Sequence, residues 1–280
     1  MSYNTNERSV PKFSIITVNY NNKSGLEKTL NSVFSQTSQN FEFLVIDGNS
    51  TDGSKSLLEL NSLKFTYWCS EPDQGIYNAM NKGIHKASGK YLLFLNSGDW
   101  LHNEQIMSKI NDLIDETHDI YYGDIRYHEN GVHKIVTFPE QLPFSFFYSQ
   151  NISHQASFIQ KELFNKVFYY NEEFKIVSDW EFFTCAICKE NVSYKHLDLV
   201  ITDYDGSGIS SVPENHLIQN HERAQSLLKY FPAFTEDYKL VPELKIKKVR
   251  LFFKIKRHPL AWKFLKPYLK LISLFLPKTS

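Results

Sequence analysis

Residues 13–47, FSIITVNYNNKSGLEKTLNSVFSQTSQNFEFLVID, decide the fold. Phe13 to Val18 is a short β-branched run that stops at Asn19, Tyr20, Asn21 and Asn22, which predicts a buried strand ending in a loop. Leu26, Leu30, Val33 and Phe34 then recur at helical spacing within Leu26 to Gln36. A second strand follows at Phe41 to Ile46 and closes at Asp47, ahead of the turn-rich GNSTDGS. Strand, helix and strand joined by short links make a βαβ unit.

Downstream the same grammar repeats, with a helix after Asp52, a strand at Lys64 to Trp68, a helix from about Ile76 to Ala87 and a strand at Tyr91 to Leu95. The strands are nearly continuous apolar runs, the pattern of parallel strands covered on both faces. The expected class is therefore α/β, an open, mostly parallel sheet with helices on both faces. Ligands of such sheets bind outside the carboxyl ends of the strands, where Asp47, Asp73 and Asp99 fall. Beyond Trp100 the pattern loosens into a helix near Glu104 to Ile114, a strand at Asp119 to Gly123, an aromatic-rich loop region and a helix from about Asp179. The final stretch reads as helical with a break near Pro259, so an α/β domain over residues 1–215 and a C-terminal helical extension over 216–280 are expected.

The composition, 42% hydrophobic and 15% aromatic over 280 residues, supplies an ample core and excludes a disordered chain. The formal net charge of zero hides an asymmetry: residues 245–280 hold eleven Lys or Arg and no Asp or Glu, leaving 20 basic against 31 acidic groups before them. That tail interleaves its cations with Phe, Leu, Ile and Trp262, the composition of a basic amphipathic helix pair able to lie on an anionic membrane surface; a packed helix with a solvated basic face is the alternative. Nucleic acid is disfavoured, because the aromatics fall among aliphatics and form no stacking platform. The N-terminus lacks an apolar core of a signal peptide and no long uncharged apolar run exists, so a cytoplasmic protein, peripheral on the inner face of the membrane, is expected. Cys69, Cys185 and Cys188 make no disulfide framework; the C-x-x-C of the last two lies in an apolar helical run and reads as core.

Three stretches carry chemistry. YLLFLNSGDW, residues 91–100, ends a buried strand in a turn that presents Asp99; a hard cation such as Mg²⁺ or Mn²⁺ takes one or two carboxylates and fills its shell with phosphate and water. An ordinary turn is the alternative, since Asn, Ser, Gly and Asp dominate turns. In LVIDGNSTDGS, Asp47 at the strand end can accept hydrogen bonds from a base or ribose, whereas Asp52 reads as a cap for the next helix. In SEPDQGIYNAMNKGIHKASGKY, Asn78, Asn81 and Lys82 lie on a helix that follows Asp73 and Gly75, where amides and one cation can approach a diphosphate.

FSIITVNYNN, LVIDGNSTDGS and EPDQGIYNAMNKGIHKASGKYLLFLNSGD, in this order and spacing, resemble the family 2 inverting glycosyltransferases of the GT-A fold over about residues 12–210. The resemblance implies a nucleotide-diphosphate sugar donor, usually a UDP-hexose, whose nucleoside pocket is lined by Thr17, Asn19, Asp47 and Asp73. It implies an Mn²⁺ or Mg²⁺ ion at Asp99, the last residue of the family's aspartate motif; this chain departs from the motif at Asn96, Ser97 and Gly98. It implies a catalytic carboxylate at the start of a helix, Asp179 in FKIVSDWEFF, with Glu181 as competitor and helix capping as the alternative role. It also suggests His154 and Gln155 near the acceptor or metal, and a loop ITDYDGSGISS with Gly206 and Gly208 as hinges of a lid. A sugar or lipid-linked sugar acceptor used in surface polysaccharide assembly follows from the basic tail. Two rival functions are a non-catalytic nucleotide-sugar-binding protein with a degenerate metal site, and a nucleotidyltransferase, whose basic glycine-rich phosphate loop VNYNNKSG matches poorly.

Overall fold

The computed structural model describes residues 10–129, 131–208, 212–239 and 246–275. The chain divides into two compact units at Ser226/Leu227. In the first, strands β1 (Phe13–Asn19), β2 (Glu42–Asp47), β3 (Tyr67–Ser70) and β4 (Tyr91–Phe94) alternate with helices α1 (Lys23–Phe34), α2 (Ser54–Leu60) and α3 (Ile76–Lys86). There follow β5 (Trp100–Leu101), α4 (Ile106–Leu113), β6 (Ile120–Glu129), β7 (Val132–Val136), α5 (Phe144–Phe147), β8 (Ser157–Gln160), α6 (Leu163–Lys166), α7 (Ser178–Cys188), β9 (Tyr194–Asp205) and α8 (His216–Tyr230), which runs across the division.

The strands form one sheet in the order β3-β2-β1-β4-β8-β6-β9-β5, with β7 beside β6. β3, β2, β1 and β4 are parallel, as the continuous apolar runs require. Both faces are covered with period two. Phe13, Ile15, Phe43, Val45, Tyr91 and Leu93 join Leu26, Leu30 and Val33 of α1 and Ile106, Met107 and Ile110 of α4 in one core. On the opposite face Ile16 meets α3, where a Cβ on Gly83 would lie 2.5 Å from Ile16 Cγ2, so glycine sets how closely that helix approaches. An aromatic cluster of Phe94, Phe164, Tyr170 and Phe182 packs edge to face and stacked around α7.

The second half of the sheet is mixed: β4/β8, β8/β6, β6/β7 and β5/β9 pair antiparallel, while β6/β9 is parallel. β5, β7, β8 and β9 carry no apolar run in the sequence, being short, exposed or half-buried, and β6 extends six residues past the expected Gly123. The expected strand at Lys64 to Trp68 starts later, at Tyr67, because Ser62–Lys64 closes a 3₁₀ turn. Asp52 was expected to cap α2, but the N-cap is Gly53; Asp52 stands one residue before it, accepting from Ser54 N, and its other oxygen takes Lys23 N at the start of α1.

The first part of α8 is fastened to the first unit by Glu222, which accepts from the backbone N–H of Lys175, Ile176 and Val177 at 2.7, 3.1 and 3.2 Å. In the second unit lie α9 (Pro232–Lys239), α10 (Lys247–Arg257) and α11 (Pro259–Ser273). Phe252 of α10 meets Trp262 of α11 edge to face, 5.9 Å between ring centroids, and Val249, Ile255, Leu265 and Leu269 are partly covered. The break between them falls at Pro259, where His258 accepts from Ala261 N. No helix among the described residues is long and apolar enough to cross a membrane.

The carboxyl end of the parallel sheet is pinned by Asp47, fully buried at the end of β2. Its carboxylate accepts from Asn19 Nδ2 (2.7 Å), Ser50 N (3.0 Å), Ser50 Oγ (2.6 Å) and Ser70 Oγ (2.7 Å), so the ends of β1, β2 and β3 share one acceptor. Asp47→Ala strands these donors in the interior and is expected to lower unfolding free energy by about 3 kcal/mol. Urea unfolding checks this, with Asp73→Ala, partly exposed, costing about 1 kcal/mol or less.

Candidate active site

A cavity of about 1470 Å³ opens beyond the carboxyl ends of β1, β2 and β4. Its walls include Asn19, Tyr20, Gly48 and Asp73 at one end, Asn96, Ser97, Asp99 and Asp205 along it, and His154, Asp179, Trp180 and Arg223. The wall at Gly48 is made by close approach: a Cβ there would lie 2.5 Å from Asp73 Oδ2, so glycine lets the Asp73 carboxylate sit over the end of β2. Tyr20 presents a largely exposed ring at this end, a flat surface on which a base can stack.

Asp99 is held by a turn in which Gly98 takes φ +111° and Asp99 N donates to Asn96 O at 3.0 Å. Thr29 of α1 ties the turn down, its hydroxyl donating to Asp99 O at 2.6 Å. Asp99 Oδ1 accepts from Asp205 N at 2.9 Å, and the space a Cβ would take on Gly98 lies 3.5 Å from Asp205 Oδ2. Burial pushes the Asp99 carboxyl up to about 7, with the Asp205 carboxylate adding to the rise; the Asp205 amide, His154 and Gln155 pull the other way. Among the described residues no three His, Cys, Asp or Glu side chains gather into a metal cage. The buried Asp99 carboxylate and the half-buried Asp205 carboxylate beside it nevertheless fit a hard divalent cation that completes its shell with phosphate and water.

Asp179 opens α7. Its oxygens accept from Tyr77 OH at 3.1 Å and Asn151 Nδ2 at 3.1 Å, and pair with His154 Nδ1 at 3.0 Å. Burial pushes its pKa up, but the His154 and Tyr77 hydrogen bonds and the Trp180 amide outweigh that and hold it below the usual carboxylate value. Tyr77, fully desolvated and beside this charge, is held well above the ordinary phenol value and stays a donor. His154 Nε2 meets Asn96 Nδ2 at 3.2 Å, so one imidazole joins the Asp99 turn to Asp179. Glu181, the competitor, is buried and does not line the cavity.

Of the expected donor-binding residues, Asn19 and Asp73 line the cavity, as do Asp99, His154, Gln155, Asp179 and Gly208. Four others do not. Thr17 is fully buried and donates to Leu95 O at 2.8 Å, and Asp47 lies behind the wall with its carboxylate committed to Asn19, Ser50 and Ser70. Asn81 clamps the chain before α7, donating to Tyr170 O and Glu172 Oε1, both at 2.8 Å. Lys82 pairs with Glu71 at 2.8 Å and donates to Pro72 O at 3.0 Å, bracing the approach to Asp73. These polar residues found protein partners because α3 packs with its polar edge against two chain segments and not against open space. Gly206 is locked, its N donating to His128 O at 2.7 Å and a Cβ there meeting Tyr127 at 2.5 Å; residues 209–211 of the expected lid lie outside the described residues. Sequence reading missed Tyr77, Asn151, Asp205 and Arg223. Tyr77, Asn151 (first residue of NISHQASF) and Asp205 stand inside stretches already singled out, whereas nothing local distinguishes Arg223.

The profile of Glycosyl transferase family 2 matches residues 14–172. The chain is 33% identical over 214 residues to an uncharacterized glycosyltransferase of Mycobacterium tuberculosis, covering 72% of this chain and 78% of that one. It is 29% identical over 206 residues to a PGL/p-HBAD biosynthesis glycosyltransferase of Mycobacterium bovis, covering 71% and 79%. Among solved structures, S. aureus TarS 1-349 in complex with UDP-GlcNAc superposes with a TM-score of 0.60 at 21% identity, covering 79% of this chain and 67% of that chain. The mannosyltransferase PcManGT from Pyrobaculum calidifontis, in complex with GDP-Man and Mn²⁺, gives 0.57 at 15%, covering 80% and 64%. The chain spans 66% of the length of TarS 1-349 without ligand and 44% of the longer TarS chain. A profile match over more than half of the chain, a 33% identical relative across 72% of it and a sheet shared with these structures establish that the chain belongs to Glycosyl transferase family 2 and has the GT-A fold.

Proposed function

We propose that this chain transfers a hexose from a UDP-sugar to an acceptor hydroxyl with inversion at the anomeric carbon. The observation that carries the reading is the His154 bridge, which sets the Asp99 turn and the ionised Asp179 on one cavity. Asn19, Tyr20, Gly48 and Asp73 receive the nucleoside; TarS with UDP-GlcNAc and PcManGT with GDP-Man and Mn²⁺ support a nucleotide-sugar donor. Asp99 and Asp205 would hold Mn²⁺ or Mg²⁺, which when bound neutralises charge on the departing diphosphate. Asp179 takes the proton of the acceptor hydroxyl as its oxygen bonds to the anomeric carbon and the bond to the diphosphate breaks. Tyr77, Asn151 and His154 orient that carboxylate. The catalytic domain, expected over 1–215, extends in this reading into α8, because Arg223 lines the cavity and Glu222 anchors that helix to the segment before α7.

The acceptor role in surface polysaccharide assembly, at the cytoplasmic face of the membrane, is part of the same proposal. Lys247, Arg250, Lys254 and Arg257 recur on one face of α10, and α11 exposes Phe264, Tyr268 and Leu271 beside Lys263, Lys266 and Lys270. Each cation near an anionic surface contributes about 1 kcal/mol.

Asp99 below its pKa carries a proton that a cation must displace, so Mn²⁺-dependent UDP affinity is expected to rise about ten-fold from pH 6 to pH 8. Titration calorimetry checks this; Asp99→Asn loses the metal dependence, and an unchanged isotherm removes Asp99 from the role. Asp179→Asn is expected to cut transfer by a factor of about 10² to 10⁴ while UDP still binds. Wild type that binds UDP-sugars and turns over none of them, unaltered by that substitution, supports the non-catalytic binding protein instead. Glutamate at positions 247, 250, 254 and 257 should release the protein from phosphatidylglycerol vesicles in sedimentation at low salt; wild type that never sediments with them ends the membrane reading.

A further inference from the structure

One cation of the cavity has no part in the scheme above. Arg223 of α8 lines it together with Gln219, one turn earlier on the same helix. Its guanidinium carbon lies 5.0 Å from the centre of the Trp180 ring, the residue that follows Asp179. Its Nε is buried and has no hydrogen-bond partner among the described residues. Burial lowers its pKa, against the field of Asp179, yet a guanidinium remains charged at any physiological pH. Asp179 is near enough for its charge to be felt at Arg223, and its carboxylate accepts from Tyr77, Asn151 and His154.

Arg223 as a whole is half-buried, but its buried, unpaired Nε–H is a donor that an anion can complete. The side chain is held in place, because adjacent Glu222 anchors the helix to the backbone of Lys175, Ile176 and Val177. The planar guanidinium presents its donors as a fork that matches a phosphate or carboxylate. Lys175 and Glu173, of opposite charge, also line the cavity, and Glu172 accepts from Asn78 and Asn81. The diphosphate of the donor belongs at Asp99 and Asp205; Arg223 instead stands beside Asp179, where the acceptor hydroxyl must lie.

We propose that Arg223 binds an oxyanion, phosphate or carboxylate, carried by the acceptor next to the hydroxyl that is glycosylated, so that the acceptor is an anionic carbohydrate and not a neutral one. The inference rests on the glycosyl-transfer reading. It assigns Arg223 to acceptor choice and leaves proton removal to Asp179.

The test uses the full chain, saturated with UDP and Mn²⁺, titrated by calorimetry with glycerol 3-phosphate, glycerate and glycerol. At least one charged probe is expected to bind about ten-fold or more tightly than glycerol, Arg223→Ala to lose that preference and Arg223→Lys to recover part of it. UDP affinity is expected to stay within about two-fold in both variants. If neither charged probe binds wild type better than glycerol the proposal is overturned, as it is if the preferred probe binds Arg223→Ala as well as wild type. A fall in UDP affinity with no change for the probes assigns the guanidinium to the donor and overturns it as well. Thermal melting verifies that each variant is folded, and Arg223→Gln, which keeps the contact with Trp180 without the charge, replaces the alanine variant if that one melts early. Wild type that binds no UDP defeats the underlying glycosyl-transfer reading, a result distinct from failure at Arg223 alone.

Discussion

Asp47 sets the geometry on which the cavity depends. A carboxylate excluded from water must be fully hydrogen-bonded, and here its donors come from the end of β1, from the loop after β2 and from the end of β3. Three chain segments are thereby brought to one level at the carboxyl edge of the sheet. Asn19, Gly48 and Asn49 then form a wall instead of a frayed edge, and the bare Cα of Gly48 admits Asp73 to it. The aspartate that looks like a ligand from sequence is the support of those that face the cavity.

Two carboxylates of the cavity, Asp99 and Asp179, are pushed in opposite directions by what surrounds them. Asp99 is desolvated beside a second carboxylate and gains only a few donors, so its pKa climbs to about 7. Asp179 is desolvated too, but a phenol, an amide and an imidazole aim at it, and its pKa falls. Divergent environments for paired acids are the usual means of giving them different tasks. Here they leave Asp179 ionised and Asp99 close to its midpoint at neutral pH. His154 makes the pair a single unit, since moving the Asn96 to Asp99 turn moves the imidazole that orients Asp179.

Arg223 extends the same economy. Its neighbour Glu222 spends a full carboxylate on three backbone amides, which fixes α8 against the segment leading into α7 and holds the guanidinium over Trp180. The first turns of α8 therefore work with the sheet domain although composition alone groups them with the helical tail.

What the sequence by itself determined is whatever a local pattern encodes. The β-branched runs of β1, β2 and β4, the helical spacing of α1 and α3 and the turn residues after each strand place Asp73, Asp99 and Asp179 at element ends, because period and punctuation follow from backbone geometry. Tertiary structure decided the rest. β8 and β9 become strands only because β4 and β6 offer edges to pair with, and Thr17, Asn81 and Lys82 turn to protein partners because neighbouring segments reach them before a ligand can. Asp205 and Arg223 enter the site across long stretches of chain, and no local spacing records that approach. A side chain's type is written in the sequence, but whether it meets a ligand or a carbonyl depends on distances that only packing sets.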